Sequence, residues 1–219
     1  MSVSLEIVGS ILSDYKRDHG LRPAAPGHIP ANDEIPIKTR LLHPYVEQRG
    51  IVDQINIFEV DVIGHHIIAQ VQTYFGAIGA YSNGDIANIY YAQNQNLCWR
   101  RFAVCKEMYH CMIDRLPNSR VNTLASLSSL LSHLAVDTTS VTGGFPPFTS
   151  EKAAELYSLE TLFPLEFRLR HEADYRSGQV SDTDLATMYR IPLQYVQIGF
   201  DPNYMQAIRM LRGRLLQLD

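Results

Sequence analysis

The chain has 219 residues, 46% of them hydrophobic, which is enough to bury one sizeable core. Nineteen lysine and arginine residues against 23 aspartate and glutamate residues give a formal charge of −4, which excludes a general attraction to nucleic acid or to an anionic membrane. The sequence contains neither a long uncharged apolar stretch nor a secretory signal pattern, so we expect a soluble protein that is not exported.

The three cysteines, Cys98, Cys105 and Cys111, lie within fourteen residues of one another. An odd number of cysteines is a poor disulfide framework in a chain of this length. No CxxC pair is present, and buried structural thiols are the expected role. A reducing compartment suits such a set, so the sequence predicts a cytoplasmic protein.

The predicted elements begin with an amphipathic helix over residues 2–18 that ends near Gly20. A connector with four prolines follows over residues 21–36, because this composition sustains neither a helix nor a central strand. A short helix around residues 38–49 leads into the main body of the protein.

Three β-rich segments come next, at residues 51–63, 67–75 and 86–91. They are rich in Val, Ile, Tyr and Phe, the residues that favour strands. The sequence Tyr-Ser-Asn-Gly-Asp at residues 81–85 predicts the turn between the last two strands. These segments predict a small antiparallel or mixed sheet.

The second half of the chain is predicted to be mainly helical. Helix-length stretches at 96–116 and 122–136 precede a loop at 137–149, and a further helix over 150–163 stops at Pro164. The complete pattern predicts an α+β fold, with the sheet packed against a helical core.

The tail has the pattern of two short helices around a turn. Ser181 and Asp184 form a weak capping box, and Pro192 separates the two helices. Such a pair can read DNA, so residues 178–198 are a weaker functional alternative. Because only Arg190 is basic in this segment, we expect the helices to pack beneath the core instead.

The helix over 96–116 carries a stripe of ionisable residues on an otherwise apolar surface. On a helical wheel of about 100° per residue, Lys106, Glu107, His110 and Asp114 share one side. An isolated charge in such a buried helix costs several kcal/mol unless it is paired or bound to metal. The stripe therefore predicts either a structural ion-pair network or a functional cleft.

The same helix resembles the metal-binding helix of ImmA/IrrE-type zinc peptidases, in which a strand leads to Arg-Phe-x-x-x-His-Glu-x-x-His. Here the strand at 86–91 leads to Arg-Phe-Ala-Val-Cys-Lys-Glu-Met-Tyr-His at residues 101–110. The resemblance covers residues 40–200. It implies a gluzincin-like, zincin-type fold, in which two histidines and a glutamate bind zinc and the helix glutamate acts on water.

The resemblance implies that Glu107 matches the general base and His110 the second zinc ligand. Lys106 stands in place of the first ligand. A lysine with its ordinary pKa of about 10.4 is a cation at neutral pH and offers no lone pair to zinc. We therefore expect the Lys106 ammonium to occupy the position of the lost zinc and to pair with Glu107, Glu151 or Glu155.

The family's third ligand is a glutamate, and counting back from Pro164 places Ala153 there. Glu151 and Glu155 lie two residues to either side, so a shifted helix could bring one of them to the metal. They are also spaced i, i+4, which is typical of a solvated helix face.

Three further residues, Tyr109, Asp114 and Ala153, are expected to line the cleft beside the motif. Residues 38–176 are the expected peptidase-like domain, with a helix and connector at 1–37 before it and a helical segment at 177–219 packed on it. These boundaries are predictions from composition and from the resemblance.

The leading hypothesis is an inactive or impaired bacterial relative of these peptidases. It implies no cofactor and a protein partner in stress response, transcriptional or mobile-element control, with no role for nucleic acid or membrane. The alternative is an active zinc-dependent endopeptidase that cleaves a regulatory protein, with Glu107 as base and His110 plus Glu151 or Glu155 as residual ligands.

Overall fold

A computed structural model describes residues 5–25, 28–49, 52–61, 69–113 and 146–215, with the side chains of 146–150 and 211–215 excepted. Within these residues the fold is α+β, as the sequence predicts, with helices packed on a three-stranded mixed sheet. The predicted helix at 122–136 and the motif residue Asp114 lie outside the described residues.

Helix α1 spans Leu5–His19 and packs its apolar face into the core. Gly20 ends it with a φ of +72°, the left-handed conformation that glycine favours after a helix. The predicted end of this helix is confirmed. The Tyr15 hydroxyl accepts a hydrogen bond of 2.9 Å from the backbone N–H of Lys38, which fixes the far end of the connector.

The single short helix predicted over 38–49 is instead two pieces. A 3-10 turn covers Thr39–Leu41, and helix α2 covers His43–Glu47. Pro44 lies in the first turn of α2, where its missing N–H costs nothing, but a helix running through it from residue 38 would lose a hydrogen bond.

The sheet has three strands in the order β1-β3-β2. Strand β1 is Gln54–Val60, β2 is Ala69–Ile78 and β3 is Ser82–Ala92. The central strand β3 pairs parallel with β1 and antiparallel with β2, so the sheet is mixed. Among the described residues, β2 pairs only with β3 and leaves its outer edge open.

The turn between β2 and β3 lies earlier than predicted. It occupies residues 79–81, where Gly79 has a φ of +63°, and residues 82–85 belong to β3. The Asp53 carboxylate accepts a hydrogen bond of 2.7 Å from the N–H of Asp85 and lies where a side chain on Gly84 would stand. This contact extends the strand through a sequence that favours a turn.

Helix α3 spans Leu97–Ile113 and lies between the sheet and helix α4, which spans Pro146–Leu162. The predicted start of α4 at Ser150 is wrong, because four residues assigned to a loop are helical. A proline is tolerated in the first turn, so the two prolines that suggest a loop begin the helix instead.

Four helices follow Pro164 in short succession. They are α5 (Leu165–Arg176), α6 (Asp182–Tyr189), α7 (Leu193–Phe200) and α8 (Pro202–Leu215). The predicted capping box is confirmed, since the Ser181 side chain accepts from Asp184 N and the Asp184 side chain accepts from Ser181 N. No helix of the described residues is long and apolar enough to cross a membrane.

The buried apolar residues form one cluster that includes members of the N-terminal helix, the connector, α3 and the tail. Representative members are Ile11, Ile37, Phe102 and Tyr189, all at most 1% exposed. The face of the sheet that carries Ala87, Ile89 and Tyr91 joins the same cluster. The tail helices therefore pack on the core as part of it.

Candidate functional site

Helix α3 is buried and apolar along most of its length, and it carries the motif residues in its C-terminal half. Phe102, Met108 and Met112 are at most 1% exposed, which fixes the rotation of the helix against its neighbours. On the remaining side, Glu107 and His110 are buried, whereas the side chain of Lys106 is 20% exposed. Lys106 therefore lies at the boundary between the core and solvent.

The Lys106 ammonium lies between two carboxylates. Its Nζ is 2.5 Å from Oε1 of Glu151 on α4 and 3.4 Å from Oε1 of Glu107 on its own helix. The expected pairing of this lysine with Glu107 and Glu151 is therefore present. An ion pair to a mostly buried group is stronger than one at the open surface.

The carboxylate of Glu151 also contacts His110, whose Nε2 lies 2.8 Å from Oε2. Because an ionised carboxylate only accepts hydrogen bonds, Nε2 carries the hydrogen and donates it. Each oxygen of Glu151 thus has its own nitrogen, one from Lys106 and one from His110. Both nitrogens come from α3, one helical turn apart.

Glu151 and Lys106 both keep their charges at neutral pH. The hydrogen bond from His110 lowers the pKa of Glu151 to about 2, with Lys106 adding to the effect and burial opposing it. Burial acts to lower the pKa of Lys106, but the hydrogen bond to Glu151 and the charge of Glu107 outweigh it, and the pKa is raised. Lys106 is therefore an ammonium, which has no lone pair to donate to a metal.

The donors at this site do not fit the zinc that the resemblance implies. Two of the groups that could bind a metal, His110 and Glu151, are hydrogen-bonded to each other, and the Lys106 cation contacts the second oxygen of Glu151. Among the described residues, no three His, Cys, Asp or Glu side chains form a group that could hold a metal ion.

The residue at the position counted for the third ligand, Ala153, is a core residue that is 2% exposed. Its expected place in the cleft is wrong, because it is not among the described residues that line the cleft beside Lys106. Glu155 does not reach the motif either. Its Oε2 lies 2.8 Å from Nζ of Lys152, and its carboxylate interacts with Tyr195, so of the two glutamates Glu151 is the one in contact with Lys106 and His110.

The expectation that Tyr109 lines the cleft is also wrong. Tyr109 is 2% exposed, and its hydroxyl lies 2.5 Å from Oγ1 of Thr161 on α4. Its ring packs against Tyr157, with the centroids 5.5 Å apart. Tyr109 therefore holds α3 against α4 from within the core.

A cleft of about 610 Å³ opens beside Lys106. Among the described residues, four elements form its walls. They are β2, α3, α4 and α7, through the residues Ala69, Gln70, Trp99, Phe102, Ala103, Lys106, Glu151, Glu155, Gln194 and Tyr195. The Tyr195 ring stacks on Phe102 with the centroids 3.7 Å apart. The cleft therefore has a charged end and an aromatic wall.

The residues that α7 and β2 contribute to the cleft were not predicted from the sequence. Tyr195 lies 89 positions after Lys106, and no local periodicity connects the two. Its only sequence signal was an aromatic residue after Pro192, where a helix begins.

Arg101 joins α3 to the tail of the chain through hydrogen bonds to backbone carbonyls. It is 8% exposed and donates to the carbonyls of Tyr189, at 2.5 Å, of Arg190, at 2.7 Å, and of Ile37. Burial lowers its pKa to about 10, so it remains a cation at neutral pH. A buried guanidinium with several acceptors fixes the turn before α7, which places Tyr195 on Phe102.

The α6 and α7 helices predicted as a possible DNA reader are present, but the exposed side of α7 is neutral. It carries Leu193, Gln194, Gln197 and Ile198. The basic residue between the helices, Arg190, donates back to the carbonyl of Pro30 at 3.3 Å. A DNA-binding helix requires positive charge toward phosphates, which this face does not offer.

Comparisons with known protein families, with curated proteins and with solved structures return no match to this chain. The resemblance to ImmA/IrrE-type peptidases therefore rests on the motif residues themselves and on the expectations drawn from them.

Proposed function

We propose that this chain is a metal-free regulatory protein with an ImmA/IrrE-like architecture, in which the cleft binds a protein partner without hydrolysing it. The observation that supports the proposal is the contact of Lys106 with Glu151, 2.5 Å long, at the position that the resemblance assigns to a zinc ligand. The Lys106 ammonium cannot bind a metal, and it supplies the positive charge that a metal would otherwise supply.

The chemistry of the retained residues supports binding over catalysis. Peptide hydrolysis in a zinc site uses a metal-bound water that a general base activates. Here the matching base, Glu107, has its Oε1 3.4 Å from an ammonium, and the matching ligand, His110, donates to Glu151. Both groups already have partners inside the protein.

The rest of the cleft suits a segment of polypeptide. Its aromatic wall, with Trp99 and Tyr195 at 6.2 Å between centroids, can pack against an apolar side chain. The resemblance adds the setting, since family members act on regulators of stress responses, transcription and mobile elements. We therefore propose a regulatory protein of a bacterial cell as the partner.

Metal content tests the proposal directly. We expect the purified wild-type protein to contain less than a stoichiometric amount of zinc by elemental analysis. Lys106→His should gain about one zinc per chain, because it places two histidines at i, i+4 opposite Glu151. Lys106→Gln is the matched control, since it removes the cation without supplying a comparable ligand.

One zinc per wild-type chain would overturn the proposal. It would favour the alternative, an active endopeptidase, which requires that a co-expressed regulator is cleaved by the wild type and stays intact with Glu107→Ala. Zinc in neither Lys106→His nor the wild type would show that His110 and Glu151 are not arranged as ligands.

A further inference from the structure

We propose that the cleft captures the free carboxyl terminus of a partner polypeptide, and that the Glu151 side chain occupies the carboxylate site when no partner is bound. This inference rests on the proposed function, because a cleft that does not hydrolyse can retain a bound chain end. It names the chemical group that the site recognises.

The first support is the convergence of two nitrogen donors on one carboxylate. Nζ of Lys106 and Nε2 of His110 lie 2.5 and 2.8 Å from the two oxygens of Glu151. Both donors belong to α3, whereas Glu151 reaches them from α4. The donors therefore form a two-point site for any carboxylate that enters from the cleft, and charge-assisted bonds of this kind are the strong ones.

The second support is the difference in exposure between the donors and the carboxylate. The side chain of Glu151 is 41% exposed, against 20% for Lys106 and 11% for His110. Glu151 can thus rotate into solvent and be hydrated, while Lys106 stays in the wall of the cleft and His110 stays buried. A bound carboxylate would replace it without rearrangement of α3.

The third support is the balance of charge. Glu107, whose side chain is 7% exposed, also faces the Lys106 ammonium. A ligand carboxylate that displaces Glu151 leaves the number of carboxylates around Lys106 unchanged. An ammonium ligand in the place of Glu151 would lie beside the Lys106 cation, whereas Glu155, the other carboxylate that lines the cleft, is 2.8 Å from Nζ of Lys152.

The fourth support is what lies next to the donors. The aromatic wall formed by Trp99, Phe102 and Tyr195 can receive the side chain of the last residue of a peptide. On the other side, Ala69 and Gln70 belong to β2, whose outer edge is open among the described residues. An extended chain can pair with such an edge through its backbone.

The test compares two N-acetylated hexapeptides, Thr-Val-Thr-Val-Thr-Phe as the free acid and as the C-terminal amide. Binding of each is measured by titration calorimetry to the wild type and to Glu151→Ala. Removing the internal carboxylate should make the free acid bind at least about tenfold tighter, because charged donors then lack a partner. The amide should bind both proteins equally weakly.

Further measurements isolate the site. Glu34→Ala makes the same change in net charge on the exposed connector and should leave the affinity for both peptides unchanged. Lys106→Met should abolish the preference for the acid over the amide. Acetate should compete with the acid peptide in Glu151→Ala. Glu151→Gln, which keeps the shape of the side chain, replaces Glu151→Ala if that variant does not fold.

Equal binding of acid and amide by Glu151→Ala, or no binding of either, would overturn the inference. So would inorganic phosphate that competes better than acetate, since it would assign the site to a phosphorylated group. None of these results depends on zinc content, so the inference can fail while the proposed metal-free function stands. Stoichiometric zinc in the wild type would remove the proposed function instead.

Discussion

Nζ of Lys106 lies 2.5 Å from Oε1 of Glu151, and this contact joins two helices across 45 positions of sequence. The same ammonium is 3.4 Å from the buried carboxylate of Glu107. The lysine thus pairs with one carboxylate that is buried, Glu107, and with one that is partly exposed to water, Glu151. Its loss should be felt mainly through Glu107.

Lys106→Met should lower the free energy of unfolding by about 1 to 3 kcal/mol, because it leaves the carboxylate of Glu107 buried beside an apolar side chain. Glu151→Gln should cost less, since Glu151 is 41% exposed and water can replace its partner. Urea denaturation of the two single variants and the double variant measures both costs and the coupling between them.

Lys152→Met is the matched control on α4, where Lys152, with 40% of its side chain exposed, pairs with Glu155. We expect a change of no more than about 0.5 kcal/mol from this variant. Equal stability of Lys106→Met and the wild type would show that the contact does not stabilise the fold.

Arg101→Lys should lower the free energy of unfolding by about 2 to 4 kcal/mol, since an ammonium cannot reproduce three bonds from a rigid guanidinium to separate carbonyls. The turn before α7 should loosen first. Hydrogen exchange of α7 amides measures this effect, and binding at the aromatic wall should weaken with it.

The control for Arg101 is Arg100→Lys on the same helix, where the side chain pairs with Glu59 near the surface. This variant should remain close to the wild type in stability. If both substitutions have the same effect, the position of Arg101 beneath the tail is not what matters.

The helix that carries the site could be predicted from sequence because its signals are local. Lys106, Glu107 and His110 share one side of a helix that is apolar elsewhere, and that period alone predicts charges meeting a partner or a cleft. The cap at Ser181 was predictable for the same reason, since both halves of the box lie within four residues.

The partner of Lys106 could not be chosen from sequence. Glu151 and Ala153 differ by about 200° around a helix, so a shift of two residues in an alignment reverses the side that faces α3. Glu155 shares a face with Glu151 but lies about 6 Å further along the helix axis. The packing of α3 on α4 determines which of Glu151, Ala153 and Glu155 meets Lys106. The aromatic wall from α7 depends on contacts between residues that are still further apart in the sequence.

Ser181→Ala should lower the free energy of unfolding by about 1 kcal/mol, because the backbone N–H of Asp184 loses its side-chain acceptor at the start of α6. Thermal denaturation measures the change. Thr183→Ala, an exposed substitution in the same helical turn, is the control and should be nearly neutral. Equal losses for the two variants would argue that helix propensity, and not the cap, sets the effect.

His171 should make the stability of the fold depend on pH. It is fully buried in α5 and lies 2.7 Å from the Tyr189 hydroxyl, and burial, with the nearby charge of Arg170, holds its pKa below the ordinary value of 6.5. As pH falls below 6.5, the unfolded chain takes up a proton that the folded chain does not. The stabilisation is therefore complete above that pH and decreases toward the lower folded pKa.

The free energy of unfolding of the wild type should fall between pH 7 and 5 with a contribution of up to about 1.4 kcal/mol per pH unit from this group. His171→Gln keeps a polar group near Tyr189 but does not titrate, so its slope should be smaller by that amount. His28→Gln, which removes one histidine at an exposed position, is the matched control. Identical slopes for His171→Gln and the wild type would mean that His171 becomes protonated in the folded protein as readily as in the unfolded chain.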